Sequence, residues 1–521
     1  MVNTNNSPST RKGLFRSTVA VGVGTLSSRV LGLVRDVVIG HIFGAGGQVD
    51  AFLIAFKIPN FLRRLFAEGA FSQAFIPVLA EVKKESGLSG VRDLMAHISA
   101  WLGLWLLLVT TLLIVLAPYV AIIFAPGFWY HGDLVKLAQT TATIRLVSPY
   151  LFFISMTALC GAVLNTYGNF AIPAFTPVLL NVCLIFFAVF GSSWFEPPIQ
   201  SLAIAVLVAG LAQLLFQQPS LYRLNVFVRP KLSFQHDGVR KVARLMVPAL
   251  LGVSVSQINL LLDTVLASLL VDGSVSWLYY SDRLSELPLG VIGIAIATVV
   301  LPVLSNTHMA QDSDQFRATL GWAIKLVVFL GLPASAALFY LSEPLIATIF
   351  YHGEMDFHSV EMSSLSLRAY SLGLLAFMLI KVLAPGFYSR QEMKTPVKIA
   401  IWSMILNMVF NLMLVYWLKH VGLALATALS AWFNAGALYW FLRRDMKFYV
   451  GRDIRAFLLR VLLACAVMIG FLYLLLPAPL FWQTQSIYAR VYAVSGMVCV
   501  GICVYFAAVW AFGIRFHHLK R

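Results

Sequence analysis

The sequence predicts an all-α polytopic membrane protein, with about 14 transmembrane helices in two six-helix lobes of parallel tandem repeat, followed by two C-terminal helices. Three observations predict it. Hydrophobic residues make up 60% of the 521-residue chain and charged residues only 12%, against roughly 25% charged in a soluble globular protein. Apolar runs recur that reach the roughly 20 residues needed to cross a hydrocarbon core of about 30 Å. Basic residues gather in alternate loops, as the positive-inside rule demands of cytoplasmic ones. The mean hydropathy of +0.84 agrees. These figures exclude a secreted, disordered or DNA-binding chain. The net charge of +16 sits mostly in short loops and implies no nucleic acid as partner.

A polar tail over 1–13 opens the chain. The apolar stretch behind it is too long and too charged for the core of a cleavable signal peptide, so the N-terminus is expected in the cytoplasm. Hydropathy and breaker residues place spans near 14–43, 48–80, 94–124, 136–164, 171–193, 199–222, 241–271, 275–304, 317–343, 359–388, 396–418, 422–442, 455–476 and 487–513. The basic loops carry Lys83, Lys84 and Arg92, then Arg223, Arg229, Lys231, Arg240, Lys241 and Arg244. Arg390, Lys394 and Lys398 follow, and then Arg443, Arg444, Lys447, Arg452 and Arg455. The loops between them, 44–47, 194–198, 271–274 and 351–358, are nearly free of Lys and Arg. This alternation expects both termini inside. No loop is long enough to fold as a soluble domain, so function must reside in the membrane or at its surfaces.

An internal repeat at an offset of about 225 residues supports the two lobes. Pro77-Val78-Leu79 recurs as Pro302-Val303-Leu304, and Ile123-Phe124 with Gly127 as Ile349-Phe350 with Gly353. Pro173 answers to Pro396, and Lys57 falls opposite Arg283. The expected organisation is an N-lobe over 14–225 (helices 1–6), a C-lobe over 226–445 (helices 7–12), and helices 13–14 with a cytoplasmic tail over 446–521.

The informative residues are ionisable groups inside spans, where each charge costs a few kcal/mol or more unless it is paired or faces water. The first half holds Arg29, Arg35, Asp36, Asp50, Lys57, Arg63, Arg64 and Glu68, five positive against three negative. The second half holds Asp263, Asp282, Arg283, Glu286 and Lys381. Asp50, Lys57 and Arg64 stand seven apart and so form one stripe on a helix. Arg64 with Glu68, and Arg283 with Glu286, are spaced to pair along a helix. Pro59 follows Lys57 and can bend that helix. Ion pairing and snorkelling to the headgroups suit Arg35, Asp36, Asp50 and Arg64. The depth of Lys57 and Arg283 favours instead a hydrated, net-cationic cavity. Guanidinium groups bind phosphate or carboxylate through paired hydrogen bonds, so the expected ligand is an anionic, phosphorylated molecule.

Other signals are weak. Gly22-Val23-Gly24 lies in a helix and is no dinucleotide-binding loop. The five cysteines, Cys160, Cys183, Cys465, Cys499 and Cys503, lie in apolar segments and read as core residues. The histidines show no metal-ligand spacing; His131, His236, His352, His358 and His420 read as solvated. Asp263 with Asn407, Asn411 and Thr427 is a candidate cation site. Polar hydrogen bonding between helices is the stronger reading of the same residues.

Several stretches resemble a known family. Ser28-Arg29-Val30-Leu31-Gly32 with Arg35-Asp36 is similar to the first-helix motif of the MurJ (MviN) lipid II flippases. FGAGGQVDAFLIAFKIPNFLRRLFAEGAFSQAFIPVLAE from Phe43, SVSWLYYSDRLSELPLGVIG from Ser274 and KVLAPGFYSRQEMKTPVKIA from Lys381 resemble further motifs of that family. The resemblance runs over roughly 14–513. It implies the multidrug/oligosaccharidyl-lipid/polysaccharide exporter fold and a transporter, not an enzyme, in the bacterial cytoplasmic membrane. The implied cargo is lipid II, the undecaprenyl-pyrophosphate-linked peptidoglycan precursor, carried to the outer leaflet by alternating access. Membrane lipid and other cell-wall synthesis proteins are the further partners it admits. The family's charged positions fall on Arg29, Arg35, Asp50, Arg63, Arg64 and Arg283, and its last two helices form a groove for the polyprenyl tail.

From these, substrate binding is expected at Arg29, Arg35, Lys57, Arg63, Arg64 and Arg283, and gating at Asp36, Asp50, Glu68 and Glu286. No cofactor is expected; membrane potential or a coupled monovalent cation would drive the cycle. Two alternatives stand beside this reading: an exporter of another polyprenyl-diphosphate glycan or of organic cations, and a membrane glycosyltransferase. The second lacks the large loop such an enzyme uses.

Overall fold

A computed structural model of the chain describes residues 8–65, 71–233, 236–446 and 452–515. The described residues are helical, with no strand among them. Among the described residues, ten helical stretches are long and apolar enough to cross a membrane, and the protein is a multi-pass membrane protein. The chain divides into two compact units, Met1–Asp272 and Gly273–Arg521.

The first unit contains α1 (Pro8–Phe43), α2 (Gly47–Leu62), α3 (Ser72–Val115), α4 (Ala117–Phe124), α5 (Pro126–Tyr130), α6 (Leu134–Val147), α7 (Pro149–Thr166), α8 (Ala171–Phe186), α9 (Gln200–Arg223) and α10 (Asp237–Ser268). Breaks follow local chemistry. Pro59 has no N–H for the carbonyl four residues back. The amide of Asn60 donates to the Phe56 carbonyl at 3.0 Å, and the backbone loosens into a π-turn over 63–65. Gly87 (φ +60°) divides α3, between the spans predicted at 48–80 and 94–124. Pro126 and Pro149 open α5 and α7 in their first turns, where a missing N–H costs nothing. Asp133 caps α6 by accepting from the Lys136 backbone N–H at 3.0 Å. The Lys136 side chain also donates to Asp133, which holds that carboxyl below its ordinary range.

α10 shows a difference from the repeat arithmetic. The repeat counts it as the first helix of the C-lobe; in the structure it packs on α2, α3, α4 and α5 of the first unit. The Gly127 N–H points at the Ser268 hydroxyl at 3.3 Å, and His131 reaches the Leu269 carbonyl at 3.1 Å. Lys136 also bridges to Asp272.

The second unit contains α11 (Ser274–Pro288), α12 (Ile294–Met309), α13 (Ser313–Tyr340), α14 (Ser342–Phe350), α15 (Phe357–Tyr388), α16 (Lys394–Met446), α17 (Arg452–Leu475), α18 (Pro479–Thr484) and α19 (Ile487–Ala511). Lys419 adopts φ +51° and divides α16 between the spans predicted at 396–418 and 422–442. The offset of about 225 residues reappears in the elements: α4 answers to α14, and the π-turn after α2 answers to one over Leu289–Gly293 after α11.

α17 and α19 pair with each other and lean on α13. Pro333 inside α13 leaves the Phe329 carbonyl without its helical donor. The buried Tyr505 hydroxyl of α19 donates to it at 2.6 Å, and the Phe329 ring meets Phe457, Tyr505 and Phe506. Arg490 is buried and donates to the carbonyls of Ala347 (2.9 Å) and Tyr351 (3.1 Å) at the C-terminus of α14, where a cation complements the helix dipole. Tyr505→Phe is expected to lower stability by about 1–3 kcal/mol, the cost of an orphaned buried carbonyl. Thermal melting of the purified variant, with α19 otherwise unaltered, measures it; an unchanged midpoint removes the role.

Candidate functional site

The site starts from α1, whose one face rests on α8. Gly24 lets the helices approach: a methyl carbon there would stand 3.0 Å from the Ala174 carbonyl. One turn on, the Ser28 carbonyl accepts from the Asn181 amide at 3.0 Å. Two turns further, Arg35 donates to the Asn181 side-chain oxygen at 3.0 Å. Arg35 also grips Asp36, with Nε–Oδ1 at 2.9 Å and Nη2–Oδ1 at 2.6 Å. Arg35 is 6% exposed and Asp36 fully buried. Neither snorkels, and in this conformation the Arg35 guanidinium is committed to protein partners. Breaking a buried pair from one side costs roughly 3–5 kcal/mol. Arg35→Ala is therefore expected to lose stability on that scale, read as a fall in melting temperature. A variant melting as wild type would free Arg35 for a role on substrate alone.

Arg29, on the same helix, is exposed and makes no hydrogen bond or ion pair among the described residues. Of the two described guanidinium groups of α1, Arg29 is the more open to a ligand.

On α2 the stripe of three charges is graded. Asp50 is buried in the first turn, where the helix dipole favours a carboxylate. Lys57 is half-buried and donates to the Thr264 hydroxyl of α10 at 2.7 Å. Arg64, beyond the helix end, is exposed, and Arg63 beside it half-buried. Exposure thus rises steadily from the Asp50 end to the Arg64 end. Glu68, expected to pair with Arg64, lies outside the described residues.

In the second unit Arg283 is half-exposed on α11. It pairs with Glu286 at 3.1 Å, as the spacing expects, and stacks on the Tyr279 ring at 5.0 Å with a 3.3 Å contact to its hydroxyl. The pairing is exposed and therefore exchangeable. Asp282 and Lys381 are exposed. Asn411 donates to Asn407 at 2.9 Å, and Asn407 approaches Thr427 and Ser430 at 3.4 Å each, the interhelical hydrogen bonding expected of these residues. Asp263, half-buried, belongs to the first unit.

Two sequence readings change. His420 is buried, with Nε2 at 3.1 Å from the Met362 carbonyl, and His236 engages Asp93 at 3.0 Å; neither is merely solvated. Cys499 and Cys503 are exposed on α19, not core residues. Sequence reading also missed Asn181, the residue that fastens Arg35 to α8. A polar amide in the otherwise apolar run of α8 was the available signal.

The arrangement offers guanidinium groups of graded exposure on α1, at the end of α2 and on α11, a chemistry suited to oxyanions. Comparison with known proteins identifies the family. The family model described as lipid II flippase MurJ matches residues 39–493. The chain belongs to the lipid II flippase MurJ family. A probable lipid II flippase MurJ of Vibrio cholerae serotype O1 is 46% identical over 514 residues, covering 98% of each chain. The lipid II flippase MurJ of Burkholderia cenocepacia is 38% identical, covering 98% of this chain and 99% of its own. Among solved structures, a lipid II flippase MurJ in an inward closed conformation superposes with a TM-score of 0.80 at 25% identity, covering 95% of this chain and 98% of its own. A multidrug transporter of the MATE family aligns at 0.65 with 14% identity, which speaks for the shared fold alone. The matched residues 39–493 include the charged stripe on α2 and Arg283 on α11.

Proposed function

We infer that the chain moves lipid II from the inner to the outer leaflet of the bacterial cytoplasmic membrane by alternating access, with both termini cytoplasmic. The observation that carries this reading is the graded stripe on α2. A flippase must admit a diphosphate and sugar headgroup from one side of the membrane and keep the other side shut. Buried Asp50 and exposed Arg64 on one helix face give such a polarity. We assign the oxyanion-binding role to Arg29, Arg63, Arg64 and Arg283, with Lys57 deeper along the path. Asp50 is assigned to closure of the outer end by pairing with a cation. Arg35, Asp36 and Asn181 keep α1 in register on α8. The polyprenyl tail stays in lipid along α17 and α19.

The drive is ionic in this proposal. Moving one elementary charge through 100 mV is worth about 2.3 kcal/mol, enough to bias a cycle between two conformations. Membrane potential or a coupled monovalent cation supplies it. Depletion of the protein in cells, followed by assay of lipid II on the outer leaflet, tests the function. Outer-leaflet lipid II should fall while total lipid II rises; an unchanged outer pool overturns the assignment. Competition of lipid II against other polyprenyl diphosphates for the purified protein tests the cargo.

A further inference from the structure

Away from the charged stripe, the first unit gathers three metal-ligating side chains that the transport reading leaves unused. Asp93 and His97 stand one turn apart on α3, and His236 stands immediately before α10. His236 Nε2 lies 3.0 Å from Asp93 Oδ2, and His97 Nδ1 lies 3.5 Å from Asp93 Oδ1. The two imidazoles stack at 4.4 Å with an interplanar angle of 28°. One ligand atom from each of the three residues can be chosen so that all lie within 4.8 Å of one another.

The hydrogen bonds around the cluster set its chemistry. His97 Nδ1 is 2.8 Å from the Asp93 backbone carbonyl. A carbonyl only accepts, so in this arrangement the proton sits on Nδ1 and the neutral ring keeps a lone pair at Nε2. His236 gives Nε2 to a carboxylate, and its buried Nδ1 has no hydrogen-bond partner. The backbone is already in place: Lys231 N–H donates to the Ala96 carbonyl at 2.9 Å, and Trp101 donates to the Ser233 carbonyl at 2.9 Å. The chain leading to His236 is therefore held against α3 at Ala96, between the two α3 ligands, and again one turn beyond His97 at Trp101. Little reorganisation is needed to close the set.

We propose that Asp93, His97 and His236 form a binding site for a borderline divalent transition metal, Zn2+ by choice of ligands. Two imidazoles and one carboxylate with an open fourth position are a recurrent zinc set. Tetrahedral ligands at zinc bond lengths stand about 3.3 Å apart, within reach of the present spacing by side-chain rotation. Asp93 is exposed, so water can supply the fourth ligand. The ion would replace the proton shared by Asp93 and His236 and would tie the start of α10 to α3. The loops around it are those that the basic residues assign to the cytoplasmic side.

The test uses full-length, untagged protein in detergent, stripped with a chelator and titrated with ZnCl2 by calorimetry. One equivalent is expected to bind with a dissociation constant in the micromolar range or tighter, and to raise the melting temperature. His97→Ala and His236→Ala should each weaken binding at least tenfold and abolish the zinc-dependent rise. His308→Ala, an exposed histidine of α12, should change neither. Asp93→Asn and His236→Gln, closer in size to the native residues, decide the matter if an alanine variant folds poorly. Absence of zinc binding by the wild type, or wild-type affinity in the folded Asp93, His97 or His236 variants, overturns the proposal.

Discussion

Arg29→Ala and Arg283→Ala are each expected to abolish transport of lipid II while the chain still inserts and folds. The two halves of that expectation rest on different observations. Folding should survive because Arg29 is exposed and makes no hydrogen bond or ion pair among the described residues. Arg283 gives up a half-exposed pair with Glu286, a class of contact worth about 0–1 kcal/mol, and its stack on the Tyr279 ring, worth about 0.5–1 kcal/mol at an exposed site. Transport should fail because a diphosphate carried through hydrocarbon has lost its water and depends on the cations that replace it. Removing one partner of a desolvated, hydrogen-bonded charge pair costs roughly 2–5 kcal/mol, or about 30-fold to several-thousand-fold in occupancy. Lysine at either position should restore part of the activity, since it keeps the charge and loses the paired hydrogen bonds. Complementation of a depleted strain, with membrane level and melting temperature measured on the same variants, checks both halves. Normal transport in both alanine variants would end the cationic-path mechanism; normal transport in one would confine it to the other.

Gly127→Ala is expected to have the largest effect on stability of any single methyl addition considered. A methyl group at Gly127 would run into the backbone carbonyl of Ser268 and the Cα of Leu269. Ordinary overpacking against side chains costs about 1–3 kcal/mol because the neighbours can rotate away. Backbone at the end of a helix cannot, so the cost should reach at least about 3 kcal/mol, and α5 must withdraw from the end of α10. The expected readout is a sharp drop in melting temperature and in membrane level. Gly353→Ala is the useful contrast. Its strain is local, from a left-handed φ of +62°, and should cost about 1–2 kcal/mol. Equal, small losses at both positions would show that α5 does not approach α10 this closely.

Much of the fold was legible because membrane spans are written in long, one-dimensional signals. The predicted gap at 418–422 contains Lys419, where α16 breaks, and the predicted spans 171–193 and 199–222 fall on α8 and α9 with its flanks. Hydropathy sees such boundaries because a polar or helix-breaking residue interrupts an apolar run. It does not see which helix a span leans on. α10 counts with the second half by repeat, and only its packing on α3 and α5 places it in the first unit.

The site was legible as a set of charges and not as a division of labour. Arg29 and Arg35 belong to one motif and look equivalent in sequence. They differ because Asn181, 146 residues further on, meets Arg35. Burial by a distant partner leaves no trace in local spacing. The same holds for Asp93 and His236, 143 residues apart. A search for ligands along one helix finds Asp93 and His97 and stops at two.

The glycines at 127 and 353 bear on what a repeated pattern in the sequence does and does not encode. They occupy matching places in the two halves, yet one is glycine because a neighbouring backbone needs the room and the other because its own torsion angle needs the freedom. The same residue at matching places answers two different physical demands. A chimera built by copying either half's corner into the other would keep every glycine and still misfit.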